Sequence, residues 1–172
     1  MSTLNKAFTV DRKGLLTEGL VMNLHSIPPG IRPEARDLLE ARYPDGLSHH
    51  GLGYLFGSVS IDSVQIEIFF ELIRRAHFPE APSRYSSIFA SEQLSDAIEF
   101  RERRCASEGS IWELEFPASA FRADASCLKG TVPVFELEYL AHLYWSGDSS
   151  GIDDPDWELL ITPPAIVSRE VG

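Results

Sequence analysis

Apolar and polar positions change period along this chain, and the changes mark its elements. From about Ser63 to His77, Ile66, Phe69, Phe70, Ile73 and Ala76 recur at helical spacing, with Ile68 and Leu72 widening the stripe. That pattern predicts an amphipathic helix packed on a sheet. The segment IWELEF, Ile111 to Phe116, alternates with a period of two and sits between Gly109 and Pro117. One polar side predicts an antiparallel strand. Trp157, Leu159 and Ile161 share one face of a late strand, with Glu158 and Leu160 on the other. Phe8 to Val10 predicts a first short strand, and Leu20 to Leu24 a second before Pro28-Pro29-Gly30. Pro33 fits the first turn of a helix reaching about Arg42, with Leu38 and Leu39 as its buried face. Leu137, Leu140, Ala141 and Tyr144 mark another helix, running to Trp145. Thr131 to Phe135 is a brief strand candidate, Phe121 to Leu128 is irregular or a short strand, and Tyr43 to Gly57 reads as loop.

The stretch PSRYSSIFASEQLSDAIEFRERR, from Pro82 to Arg104, carries the most unusual pattern. Tyr85, Ser87 and Phe89 alternate with Ser86 and Ile88, as a strand requires. Ser91 then stands where a helix N-cap belongs, and Leu94, Ala97 and Ile98 follow at helical spacing. Two serines beside an arginine are small and polar for a strand that otherwise needs bulk.

The chain has 172 residues, which suits one domain (1–172) with its own core. No apolar run approaches the roughly 18–20 residues of a membrane helix. The N-terminal segment lacks the apolar core of a secretory signal, which points to the cytoplasm. Cys105 and Cys127 form no ligand pattern, and reduced thiols are expected. His49 and His50 are adjacent rather than four apart, no HExxH occurs, and no metal site is expected. The formal net charge of −11 argues against general nucleic-acid binding, which needs a clustered positive field. Arg74 and Arg75 end one helix, and Arg101, Arg103 and Arg104 another. They complement the helix dipoles or form a rim that attracts an anionic small molecule.

GxGxxG and phosphate-loop motifs are missing from the sequence. A carboxylate on a late strand, a Ser/Tyr/Arg stretch in the middle and a short N-terminal strand remain. Glu158, beside Trp157 and Leu159, is either an outward-facing charge or a working group in a cleft, since a buried unpaired carboxylate is costly. A carboxylate there suits a reaction through an oxocarbenium-like transition state.

In this order the motifs resemble those of the ADP-ribosyltransferase superfamily, whose members cleave NAD at the nicotinamide–ribose bond. Phe8-Thr9-Val10-Asp11-Arg12, followed by Leu16 and Gly19, is similar to the family's first strand. Thr9 stands where many members carry His or Arg, and Arg12 or Arg84 could substitute for it. Ser83 to Ala90, then Asp96-Ala97-Ile98-Glu99-Phe100, resembles the second strand and its helix. Asp156-Trp157-Glu158 resembles the final motif, with Asp in place of the earlier Glu or Gln. RAHFPEAPSRYSSIFAS with the terminal WELLITPP also resembles an uncharacterised bacterial domain family grouped with that fold.

The resemblance implies an α+β fold in which two small, mainly antiparallel sheets form a cleft flanked by about four helices. It implies NAD as substrate, Glu158 as the catalytic residue, and Thr9, Arg12, Arg84, Tyr85, Ser86 and Phe89 at the cofactor. Tyr85 or Phe89 would stack on nicotinamide, Ser86 would contact the ribose, and Arg84 or Arg12 would meet the phosphates. The acceptor (protein, nucleic acid, small molecule or water) is left open, as is the choice between transferase and NAD glycohydrolase. Two alternatives stand beside this reading. One is a non-catalytic adaptor or inhibitor for a basic partner on a degenerate version of the same fold. The other is a nuclease-type or glycosidase hydrolase built on Glu113 and Glu115.

Overall fold

A computed structural model describes residues 4–57, 61–117 and 119–172. In chain order the elements are β1 (Asn5–Asp11), β2 (Val21–Met22), α1 (Pro33–Arg42), α2 (His49–Phe56), α3 (Ile61–His77), β3 (Ile88–Ala90), α4 (Leu94–Arg104), β4 (Ser110–Phe116), β5 (Ala120–Asp124), α5 (Val134–Ser146), β6 (Trp157–Ile161) and β7 (Ala165–Glu170). The strands form two antiparallel sheets, one ordered β1-β4-β7-β2 and the other β3-β6-β5. The fold is α+β. No helix among the described residues is long and apolar enough to cross a membrane.

Alternation along β6 organises the layers. Leu159 and Ile161 pack with Ile88 and Ala90 of β3 against Ala7, Leu114, Phe116 and Val167 of the larger sheet. Leu160 points the other way, into a second core made with Phe70 of α3 and Leu140, Ala141, Tyr144 and Trp145 of α5. The small sheet is therefore covered on both faces, which explains its bulky apolar content. At one corner the two sheets are stitched together. Phe8 and Ser91 exchange backbone hydrogen bonds of 2.9 and 2.7 Å, and the Thr9 hydroxyl donates to the Phe89 carbonyl at 2.9 Å.

That corner explains why the helix starts later than expected. Both main-chain groups of Ser91 are engaged with β1, so α4 begins at Leu94, with Gln93 at its N-cap. The strand expected from Tyr85 also starts later. Ser83 Oγ accepts from the Tyr85 amide and folds Arg84–Ser86 into a 3₁₀ turn, leaving only Ile88–Ala90 extended. The Tyr43–Gly57 stretch, expected as loop, contains α2, a fifth helix beyond the four expected. Ser48 caps it by accepting from the Gly51 amide at 3.2 Å. Thr131–Phe135 is not a strand, because Pro133 caps α5 and Val134 opens it. On α1, Leu38 is exposed, while Leu39 packs on a third cluster of Ile27, Tyr43, Leu47 and Tyr85. Ile68 and Leu72 are also exposed, so the apolar face of α3 is narrower than its sequence stripe. Cys105 and Cys127 are both buried free thiols.

Gly51 is required by packing. A Cβ on it would stand 2.1 Å from the Tyr85 carbonyl oxygen, whereas one on Gly53 would meet nothing within 4 Å. Gly51→Ala is expected to lower unfolding free energy by about 1–3 kcal/mol through overpacking. Gly53→Ala is expected to be neutral or to add up to ~1 kcal/mol through helix propensity. Urea denaturation of both variants checks this, and equal midpoints would contradict the packing.

Candidate functional site

Arg84 lies at the centre of the site. The 3₁₀ turn ahead of β3 drives its side chain inward, between α3, α5 and β6, where the residue is 5 % exposed. Its Nε and Nη2 donate to the two oxygens of Glu67 at 3.0 and 2.9 Å, a fork-to-fork pair. Its Nη1 donates to Glu158 Oε1 at 2.6 Å and also to the Tyr144 hydroxyl. The Tyr144 hydroxyl in turn donates to Glu158 Oε1 at 2.6 Å. The guanidinium also lies 4.5 Å over the Phe89 ring. One buried cation thus serves two carboxylates contributed by distant parts of the chain.

Electrostatics follow from the geometry. Burial pushes the Glu67 carboxyl up, but the Arg84 charge outweighs it and leaves the group lowered to about 2. For Arg84, burial opposes the charge, and Tyr144, Glu158 and Glu67 together hold the guanidinium firmly protonated. Burial, assisted by the charge of Glu158, keeps the Tyr144 hydroxyl well above its ordinary range, so it remains a donor. His50 Nε2 stands 3.1 Å from Glu67 Oε1, off the line of a hydrogen bond.

Glu158 is the member of this cluster that reaches solvent, with 18 % of its side chain exposed. Both donors meet Oε1. Oε2 has no hydrogen-bond partner among the described residues. Above it opens a cleft of about 350 Å³ between β1, the end of β3, α4 and the start of β6. That volume falls in the range of small-molecule sites. Phe8, Phe89, Phe100 and Trp157 supply its aromatic walls. Trp157 is fixed from outside by Arg122, whose guanidinium lies 3.5 Å over its ring. Arg12 and Arg103 are the cationic lining groups, and Asp96, Glu99, Asp154 and Asp156 join Glu158 as acids.

Of the residues singled out in the sequence, Thr9, Arg12, Phe89 and Glu158 line this one cleft. Arg84 does not face the cleft. It stands behind Glu158, buried, with each of its three nitrogens already donating to Glu67, Tyr144 or Glu158. Tyr85 and Ser86 are turned away by the 3₁₀ turn, and this corrects their expected places on the wall. Tyr85 is buried edge-on against Tyr43, 5.8 Å between centroids. The Ser86 hydroxyl donates to the Gly46 carbonyl at 2.8 Å, in a separate depression beside Tyr43 and Arg74. Arg74 and Arg75 form no rim, since both donate to buried Glu71. Glu113 is held by Lys6 and Arg169, and neither Glu113 nor Glu115 lines the cleft.

Glu67 and Tyr144 were not singled out from the sequence. Glu67 and Glu71 sit four apart beside the apolar stripe of α3, and both are nearly inaccessible. Two acids so placed next to an apolar face demand cationic partners, and this was the available signal. Tyr144 is recognisable in the sequence only as a core position.

Residues 52–171 match the model of a family described as Protein of unknown function (DUF2441). Glu67, Arg84, Phe89, Tyr144 and Glu158 fall within that span, and Thr9 and Arg12 precede it. No curated protein matches the chain.

Glu67→Gln is expected to cost about 3–5 kcal/mol at pH 7, because it strands a buried guanidinium. A carboxyl lowered in the folded state stabilises the fold above its ordinary pKa, and that contribution fades as pH falls from 4.5 toward about 2. The wild type should therefore lose about 3 kcal/mol over that interval from this group alone. The gap between the wild type and Glu67→Gln should shrink correspondingly. Urea titrations from pH 7 to 2.5 measure it, and parallel acid slopes would refute the assignment.

Proposed function

The chain belongs to the family described as Protein of unknown function (DUF2441), and for it we propose an NAD-dependent ADP-ribosyltransferase-like activity seated in the cleft over Glu158. The observation that carries the reading is the state of that carboxylate. One oxygen is fixed by Arg84 and Tyr144, and the other is presented to an aromatic-walled cleft. A fixed anion in a partly dehydrated site is suited to stabilise positive charge that develops on a ligand.

In this reading nicotinamide stacks on Phe89 or Trp157, and Arg12 meets the diphosphate. The C1′–N bond breaks and its electron pair leaves on the nicotinamide ring nitrogen. Glu158 Oε2 faces the ribosyl cation so formed. The acceptor's lone pair makes the new bond at C1′, and its proton passes to the Glu158 carboxylate. With water as acceptor the same steps give ADP-ribose, so transferase and glycohydrolase outcomes share one site. Arg84 and Tyr144 keep Glu158 from swinging away and limit its freedom before reaction.

The second reading, a non-catalytic adaptor for a basic partner, is favoured by the excess of Asp96, Glu99, Asp154 and Asp156 over arginine at the cleft.

Calorimetric titration with NAD and a nicotinamide-release assay separate the two. The wild type should bind NAD and release nicotinamide. Glu158→Gln should slow release on the order of 10²–10³-fold while affinity changes far less. Wild-type protein that neither binds nor cleaves NAD would remove the enzyme and leave the adaptor.

A further inference from the structure

Arg103 occupies an unusual position. It lies in the last turn of α4 and lines the cleft, yet its charge is already engaged. Nη2 stands 2.8 Å from Asp156 Oδ1 and 3.0 Å from Glu99 Oε2, and Nη1 stands 4.0 Å from Asp154. Asp156 is shared. Its other oxygen is 3.2 Å from Arg104. Half of the Arg103 side chain is open to solvent, and pairs of that exposure contribute little to stability.

We propose that Arg103 is an anion-binding residue of the cleft, held in reserve by Asp156, and that the diphosphate of a nucleotide ligand replaces Asp156 as its partner. The inference rests on the dinucleotide reading of the cleft and deepens it. Three features make the exchange feasible. Asp156 keeps Arg104 when Arg103 leaves it, and Glu99 is exposed to solvent, so no buried carboxylate is stranded. The Asp156 main chain is pinned independently, its amide donating to Ser126 Oγ at 2.9 Å and its carbonyl accepting from Ala125 at 2.7 Å, so the wall stays in place while the arginine turns. A guanidinium also binds a phosphate through two parallel hydrogen bonds, a better match than its single contact with Asp156 Oδ1.

The exchange also accounts for the charge of the cleft. Arg12 has no ion-pair partner among the described residues, and alone it faces five lining carboxylates. Releasing Arg103 from Asp156 supplies the second cation that a diphosphate requires. It also makes affinity depend on how firmly Asp156 holds the arginine, which is a measurable property.

The test is calorimetric titration of the wild type, Arg103→Gln, Asp156→Asn and the double variant with NAD and, separately, with inorganic pyrophosphate at low ionic strength. Arg103→Gln should bind both about three- to tenfold more weakly. Asp156→Asn, which keeps its main-chain bonds, should bind roughly two- to fivefold more tightly. Arg103→Gln should cost more in the Asp156→Asn background than in the wild type, because there the arginine has lost its closest carboxylate partner and keeps only exposed Glu99 and Asp154. Arg103→Gln with wild-type affinity, or Asp156→Asn with weakened affinity, overturns the proposal. NAD bound and cleaved normally by Arg103→Gln would leave the enzyme reading standing and remove this one. Pyrophosphate bound in an Arg103-dependent way by a protein that ignores NAD would do the reverse. Wild-type protein that binds neither removes both.

Discussion

A single buried guanidinium ties the helical layer to the end of the small sheet that borders the cleft. Arg84 joins Glu67 of α3, Tyr144 of α5 and Glu158 of β6. Each alone would be an expensive polar group among apolar neighbours. Together they satisfy one another, and removing one member exposes the others to the full cost of burial. The arrangement is weak evidence for stability in itself. Its value here is positional, because it fixes one oxygen of Glu158 and leaves the other facing solvent.

The fold supplies the conditions for that geometry. β6 is central in its sheet and packed on both faces, so the strand carrying Glu158 has little freedom. β1 is pinned across the sheet boundary by the Phe8–Ser91 exchange and the Thr9–Phe89 bond, which brings an N-terminal strand beside the start of β6. The cleft is therefore built from rigid elements on three sides. Its remaining wall comes from α4 and the acidic segment before β6, joined across the opening by Arg103, Arg104 and Asp156. These exposed contacts are the softest part of the site. A ligand that changes anything on binding is expected to change them first.

Much of the fold was legible because hydrophobic period is a strong local signal. The α3 stripe, the alternation of β4 and the face shared by Trp157, Leu159 and Ile161 all predict the elements observed. Local chemistry overrode period elsewhere. The Ser83 hydroxyl turned the expected strand at Tyr85 into a 3₁₀ turn, and pairing with β1 displaced the expected cap at Ser91. The glycines and histidines of α2 hid a helix whose packing on Tyr85 needs the bare Gly51. The site was partly legible for the same reasons. Thr9, Phe89 and Glu158 lie on strands, and Arg12 directly after β1, that the fold brings to one cleft. Tyr85 and Ser86 were misplaced because a turn, unlike a strand, does not alternate its side chains. Glu67 and Tyr144 were not singled out because their role depends on a partner 17 and 60 residues away, a relation no local window holds.

The most direct measurement is a crystal structure of the protein with a non-hydrolysable NAD analogue. The nicotinamide ribose should lie over Glu158 Oε2, with Arg84 and Tyr144 still on Oε1 and the ring against Phe89 or Trp157. An analogue seated beside Ser86, or anywhere that leaves Glu158 untouched, would contradict it.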